Sequence, residues 1–259
     1  DQIYDTLLRF GPKGLEPGLA TKYEVAPDKL SITFSLRHGV MFHHGREFEA
    51  KDVVFTLDRI LDPKFTSPWA GQLSSIEKVE ALDKYTVKIS LKQPFAPILS
   101  ILATAWYTAI VPYDFADSNN LNEKASGTGP FMLVEYVPND HVLLKANPNY
   151  WEKGYPCIDS IRYNIVLEQQ AQISAFRQGN ADLVAINDPK FIALLQGKPG
   201  NQAVEPAGPV NESGLAINTA EGPTSDIRVR RALSVGMDRK GVIDTELFGH
   251  GEIGTKIHC

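Results

Sequence analysis

The sequence lacks any apolar run of the roughly 18 residues that a membrane span requires. Its longest run, Pro97 to Ala105, is interrupted by Ser100 and Thr104. Cysteine is scarce: only Cys157 and Cys259 are present, with no CxxC and no metal-ligand spacing, and a disulfide between the two stays open. Catalytic signatures are missing too, with no GxSxG elbow, no HExxH and no P-loop. Ser, His and Asp residues are scattered without a spacing that implies a triad. A hydrolase-type enzyme is therefore the weaker alternative, and a stand-alone interaction domain is another. A strong charge of one sign is lacking as well. Lys and Arg total 26 against 31 Asp and Glu, and the net charge of -5 is spread among interspersed signs. That balance argues against nucleic acid as a partner and fits a freely diffusing monomer. The chain opens on Asp1-Gln2-Ile3 without Met or secretory leader and closes on Cys259, so both ends read as cut.

What is present is an ordinary globular composition, 43% apolar and 22% charged over 259 residues, enough for one large domain or two modest ones. Ile32, Phe34 and Leu36 alternate with Ser31, Thr33 and Ser35, the pattern of a strand with one buried face. Tyr85, Val87, Ile89 and Leu91 repeat it. Between them, Val53, Val54, Leu57, Ile60 and Leu61 fall at helical spacing over Ala50 to Leu61, and Asp62-Pro63 stops that helix. After Phe131, strands are expected at Phe131 to Tyr136, His141 to Leu144, Ile158 to Val166, Asp182 to Ile186 and Ser213 to Asn218. Helices are expected from Glu168 to Gln178, ended by Gly179, and from Pro189 to Gln196. A third helix is expected to start at Ser225 as N-cap, with Val229, Ala232, Leu233 and Met237 as its apolar stripe. Strand and helix alternation after Phe131 implies an α/β layer structure, whereas the preceding part is antiparallel in character. The sequence shows no internal repeat and no low-complexity segment.

Several strings then occur in a fixed order. Gly39 to Gly45 reads GVMFHHG and is followed by Phe48, Ala50, Asp52, Val53, Arg59 and Leu61-Asp62-Pro63. Thr86 to Leu91 reads TVKISL, Gly127 to Phe131 GTGPF, Asn147 to Trp151 NPNYW and Gly179 to Leu183 GNADL. Asp226 to Asp238 reads DIRVRRALSVGMD. Together these resemble the family 5 extracellular solute-binding proteins of ABC importers, the dipeptide, oligopeptide and nickel binders. One departure is His43-His44-Gly45 where the family has His-Asp-Gly. A second is length, since family members are considerably longer at both ends. The resemblance implies an α/β fold: a periplasmic-binding-protein-like type II lobe, a mixed twisted sheet with flanking helices, plus an appended antiparallel-rich α+β domain. It assigns residues 5–112 to the appended domain and residues 1–4 with 113–259 to the first ligand-binding lobe, the second lobe being absent from this chain.

The same resemblance supplies candidate ligand contacts. Trp69, in Ser67-Pro68-Trp69, stands where the family carries a ligand-touching aromatic; a core or surface Trp is the plain alternative. Trp106 and Thr108 would share one face if Thr104 to Pro112 is a strand, and the family's matching strand carries ligand contacts. Asn211 and Ser213 would bond ligand backbone groups, and Gly214 would allow close approach. Without the second lobe, Trp69 and Trp106 are expected to leave an aromatic surface facing solvent.

Two clusters invite other readings. Gly127-Thr128-Gly129-Pro130 offers a GxG, but it lacks a third glycine and Pro130 removes a backbone donor, so a turn is expected in place of a phosphate cradle. His43, His44, Glu47 and Glu49 have metal-like composition, yet the resemblance puts them on a surface turn away from the cleft. Neither a metal centre nor a cofactor is expected. The implied function is non-enzymatic capture of a small solute, foremost a peptide, in a periplasmic or extracytoplasmic compartment. The implied partner, besides the ligand, is an ABC transporter permease at the membrane.

Overall fold

The computed structural model describes residues 2–116, 121, 124–195, 200–204 and 216–254. The chain divides into two compact units, Asp1–Ile165 and Val166–Cys259.

The first unit opens with a hairpin of β1 (Leu8–Gly11) and β2 (Gly14–Pro17). Next come β3 (Ala20–Val25), β4 (Ser31–Leu36), α1 (Ala50–Leu61), β5 (Ile76–Asp83) and β6 (Thr86–Leu91). The four strands form an antiparallel sheet in the order β3-β4-β6-β5. Its centre follows from the alternation in the sequence: Ile32, Phe34 and Leu36 of β4 and Val87, Ile89 and Leu91 of β6 are all buried. Register sets Ile32 opposite Ile89 and Phe34 opposite Val87, so both apolar sets lie on one face.

Helix α1 covers that face with Ala50, Val53 and Leu57, which recur one and two turns apart and are buried. It starts where the Asp52 carboxylate accepts the Glu49 N–H at 2.9 Å, a cap that satisfies a free donor of the first turn. It ends at Asp62, held extended before Pro63. Short helices α2 (Ile98–Leu102), α3 (Ala105–Thr108) and α4 (Tyr113–Ala116) follow. Ile98, Leu102 and Ile110 join Leu7, Leu19, Phe42, Phe48 and Leu73 in the same core. The stretch Thr104 to Pro112 is thus not a strand, the condition on which Trp106 and Thr108 would have shared one face. Thr104 follows α2 directly, and its carbonyl accepts the amides of both Tyr107 and Thr108, which winds the segment into a turn of helix.

Three further strands, β7 (Phe131–Val137), β8 (His141–Ala146) and β9 (Ser160–Asn164), form an antiparallel meander. Their start is fixed by the GTGPF string. Gly129 N–H donates to the Ile3 carbonyl at 2.9 Å and Phe131 N–H to the Gln2 carbonyl at 2.8 Å. A Cβ on Gly127 would stand 1.9 Å from the Ile3 oxygen, and one on Gly129 2.6 Å from the Ile3 carbonyl carbon. The two glycines are there because the backbones touch.

The second unit, described by itself, contains α5 (Gln169–Arg177), α6 (Ile192–Leu195), α7 (Ile227–Gly236) and α8 (Arg239–Glu246). Helix α5 ends as the sequence implies, with Gly179 at φ +76°. Asp182 to Ile186 is not a strand. The Gln169 side chain donates to the Ala185 carbonyl and accepts the Asn187 N–H, both at 2.9 Å, so one amide takes the bonds a neighbouring strand would have taken. Helix α7 is capped by Asp226, whose carboxylate accepts the Arg228 N–H at 2.8 Å. Ser225, the expected cap, instead closes a 3-10 turn, Pro223–Ser225, through its hydroxyl on the Gly222 carbonyl. No α7 residue is buried, and Val235 of its apolar content is 86% exposed. The expected strand Ser213 to Asn218 lies largely outside the described residues. Among the described residues every strand pairing is antiparallel, and no helix is long and apolar enough to cross a membrane. Mixed helices and sheets of this kind make up the α/β architecture that the sequence implied.

Candidate functional site

Two of the first unit's exposed aromatics, Trp69 and Trp106, lie at or against α3. Trp106 is 81% exposed, and Trp69 is 38% exposed with its ring 5.0 Å from that of Tyr107, the residue beside Trp106. Trp69 is presented by a tight turn in which its N–H donates to the Ser67 hydroxyl at 3.3 Å and its carbonyl accepts the Gln72 N–H at 3.0 Å. A tryptophan held in water on a short helix is unusual, because its ring forfeits a large apolar burial.

The platform beneath Trp106 is pinned from three directions. Ile110 N–H donates to the Asp5 carbonyl at 3.0 Å, and Val111 N–H to the Thr56 hydroxyl of α1 at 3.1 Å. Tyr113 N–H donates to Asp52 Oδ1 at 3.2 Å. Asp52 is buried and is held by the Arg46 guanidinium, which also donates from Nε to Asp114 at 2.9 Å and lies over the rings of Phe42 and Tyr113. Burial pushes the Asp52 carboxyl upward, while Arg46 and the Glu49 and Tyr113 amides oppose that shift. Burying this charge is tolerable because the paired guanidinium and backbone donors saturate it.

Thr108, grouped with Trp106 from the sequence, points the other way. It is 1% exposed, and its hydroxyl donates to the Ile101 carbonyl at 3.3 Å. On a helix, residues two apart do not share a face, so one faces solvent and the other the core. Asn211, Ser213 and Gly214 lie outside the described residues, as does Cys259, while Cys157 is exposed.

The GTGPF turn and the two histidines are tied to each other. Gly127 N–H donates to His43 Nδ1 at 3.3 Å, and His43 Nε2 is 3.0 Å from the Gly129 carbonyl. That pair of contacts fits a neutral ring protonated on Nε2, and burial accordingly pushes the His43 pKa down. With the Gly127 and Gly129 amides already bonded and Pro130 lacking one, the turn does not offer the run of free amides that a phosphate cradle needs. His44 Nδ1 lies 2.7 Å from the Ser126 hydroxyl. Glu47 accepts from the Gly39 amide, Lys84 and the Tyr85 hydroxyl, and Glu49 serves at the start of α1. The four residues with metal-like composition thus hold four separate structural posts. Among the described residues no three His, Cys, Asp or Glu side chains gather as a metal set.

A residue that pattern reading missed is Asp5. Its carboxylate accepts the Thr128 hydroxyl at 2.8 Å and the Trp151 indole N–H at 3.0 Å, joining the GTGPF and NPNYW strings. Burial pushes its pKa upward against those two bonds. Tyr107 was missed too; its signal was the aromatic pair Trp106-Tyr107, which a strand reading splits between faces.

Comparison with known proteins adds to this geometry. The profile of the bacterial extracellular solute-binding proteins, family 5 Middle, matches residues 14–258. Di/tripeptide-binding protein 2 of Pseudomonas aeruginosa is 33% identical over 267 residues, covering 93% of this chain and 50% of that protein. Heme-binding protein A of Haemophilus influenzae is 32% identical, covering 96% and 50% respectively. The crystal structure of NikA from Brucella suis in complex with Fe(III)-EDTA superposes with a TM-score of 0.82 at 28% identity, over 96% of this chain and 51% of that one. The chain spans about half the length of the curated relatives it matches. It belongs to family 5 of the bacterial extracellular solute-binding proteins.

Proposed function

We propose that this chain forms part of the substrate-binding component of an ABC importer, capturing a small solute between two lobes and delivering it to a membrane permease. The carrying observation is the solvent-facing Trp106 on a platform fixed by Asp5, Thr56 and Asp52, with Trp69 packed at a tilt against the adjacent Tyr107. Such a surface suits a flat or apolar ligand group, and a rigid platform lowers the ordering cost of binding. In this reading residues 5–112 are an appended domain, while residues 1–4 and 113–259 contribute to the first ligand-binding lobe. Trp69 and Trp106 touch ligand directly, and Thr108 locks α3 from the inside. Asn211, Ser213 and Gly214 would contribute polar contacts and close approach from the same lobe.

A di- or tripeptide is the ligand class we favour, because a relative at 33% identity is named for it and the aromatic faces suit peptide side chains. Closure around the ligand would stabilise the form a permease recognises, in a periplasmic or extracytoplasmic setting, with no covalent chemistry and with a monomer as the working unit. Calorimetric titration of the intact protein with dipeptides, tripeptides, haem and Fe(III)-EDTA tests this. Saturable peptide binding that Trp106→Ala weakens at least tenfold, about 1.4 kcal/mol, is the expected result. Equal peptide affinity in the variant, or no binding by the peptides, would overturn the reading.

A further inference from the structure

A cleft of about 430 Å³ in the first unit is lined by Arg9, Glu16, Arg37, Trp151, Glu152 and Lys153, none of which belongs to the aromatic site on α3. Its charges are unevenly used. Arg9 and Glu152 form a two-bond pair, at 2.7 and 3.1 Å, and neutralise each other. Glu16 sits opposite Arg9 in the β1–β2 register and adds to the field that favours the Arg9 cation. Arg37 is different. Its guanidinium lies 4.3 Å from the centre of the Trp151 ring, and its Nε–H donates to the Gly18 carbonyl at 3.2 Å. Among the described residues its Nη1 and Nη2 have no hydrogen-bond acceptor and it has no ion-pair partner. The ring contact and the Nε bond hold the group in place while leaving Nη1 and Nη2 without a protein acceptor among the described residues.

We infer that this cleft binds a carboxylate, seated two-pronged on the free edge of Arg37 against the face of Trp151. Three cations and two carboxylates line the cleft, so one further negative charge makes it neutral. A planar monoanion matches both that charge and the guanidinium fork, whereas a phosphate dianion fits the fork but leaves the cleft with an excess negative charge. The site stands apart from the peptide reading above, since it uses other residues and asks only for the carboxylate group.

The probe is sodium propionate, compared with sodium chloride at equal ionic strength. Proton–nitrogen spectra of the intact protein follow Arg37 Nε–H and Trp151 Nε1–H. Both are expected to shift and saturate at concentrations on the order of ten millimolar, as one partly solvated fork supports. Arg37→Gln should abolish saturation, Lys153→Gln should weaken it roughly twofold, and Glu152→Gln, which frees Arg9, should tighten it at least threefold. Trp106→Ala should change nothing, which separates this site from the proposed peptide site. If Arg37→Gln loses the native amide spectrum, the opposite shifts of Lys153→Gln and Glu152→Gln decide. No saturation beyond chloride, unchanged saturation in Arg37→Gln, or weaker binding in Glu152→Gln would overturn the assignment.

Discussion

Trp151 Nε1–H donates to Asp5 Oδ2 at 3.0 Å across 146 residues of sequence, and the Asp5 carbonyl in turn receives the amide of Ile110, four residues beyond Trp106. The NPNYW string and the aromatic platform are therefore anchored on the same residue.

Removing that indole donor leaves a half-buried carboxylate with Thr128 as its remaining side-chain partner. Trp151→Phe is expected to lower stability by about 1–2 kcal/mol in urea unfolding at pH 7. The pH dependence follows from the direction of the Asp5 shift. Its folded pKa lies above the ordinary carboxylate value, so the folded state holds the proton to higher pH than the unfolded state does. This residue therefore makes stability fall as pH rises through the window from the ordinary value to the raised one. Asp5→Asn should flatten the stability curve in that window, and an unchanged slope would contradict the burial argument.

Gly127→Ala and Gly129→Ala are expected to destabilise the first unit by about 2 kcal/mol or more each, because the new methyl would overlap the backbone at Ile3. Thermal unfolding measures this. Ala at Gly71, where nothing lies within 4 Å of a built Cβ, is the control and should be close to neutral.

Glu47 behaves oppositely to Asp5. Its bonds to Lys84, the Gly39 amide and the Tyr85 hydroxyl hold its pKa down to about 2. Its contribution is present above the ordinary glutamate value and is lost as pH falls toward about 2. The group is partly exposed, so the effect is modest, below about 1 kcal/mol. Glu47→Gln should be less stable than the parent at pH 7 and should converge with it at the acid end of a urea series. A constant difference at every pH would contradict the assignment.

Much of this fold was legible in the sequence, for reasons particular residues make plain. Ile32, Phe34 and Leu36, and Val87, Ile89 and Leu91, alternate without interruption, and the helix from Ala50 to Leu61 has apolar spacing and a proline stop. The structure places those elements within a residue of the reading. The ordered strings also pointed to the family, which the profile match bears out. The shared face of Trp106 and Thr108 was conditional on Thr104 to Pro112 being a strand, and the condition fails because the segment winds into a helical turn followed by an extended exit, which only the preceding α2 reveals. Asp182 to Ile186 was misread because a side chain, Gln169, occupies the place of a strand. Asp5 gave no local signal; its partners Thr128 and Trp151 are brought to it by the fold alone.

Fluorine spectra of the intact protein labelled with 5-fluorotryptophan test the central claim most directly, with Trp69, Trp106 and Trp151 assigned through single Trp→Phe variants. At micromolar di- or tripeptide, well below the millimolar range of the carboxylate cleft, the account predicts that the Trp106 and Trp69 resonances move and saturate together. The Trp151 resonance should stay in place. Peptide binding that calorimetry detects while the Trp106 resonance remains unmoved would contradict it.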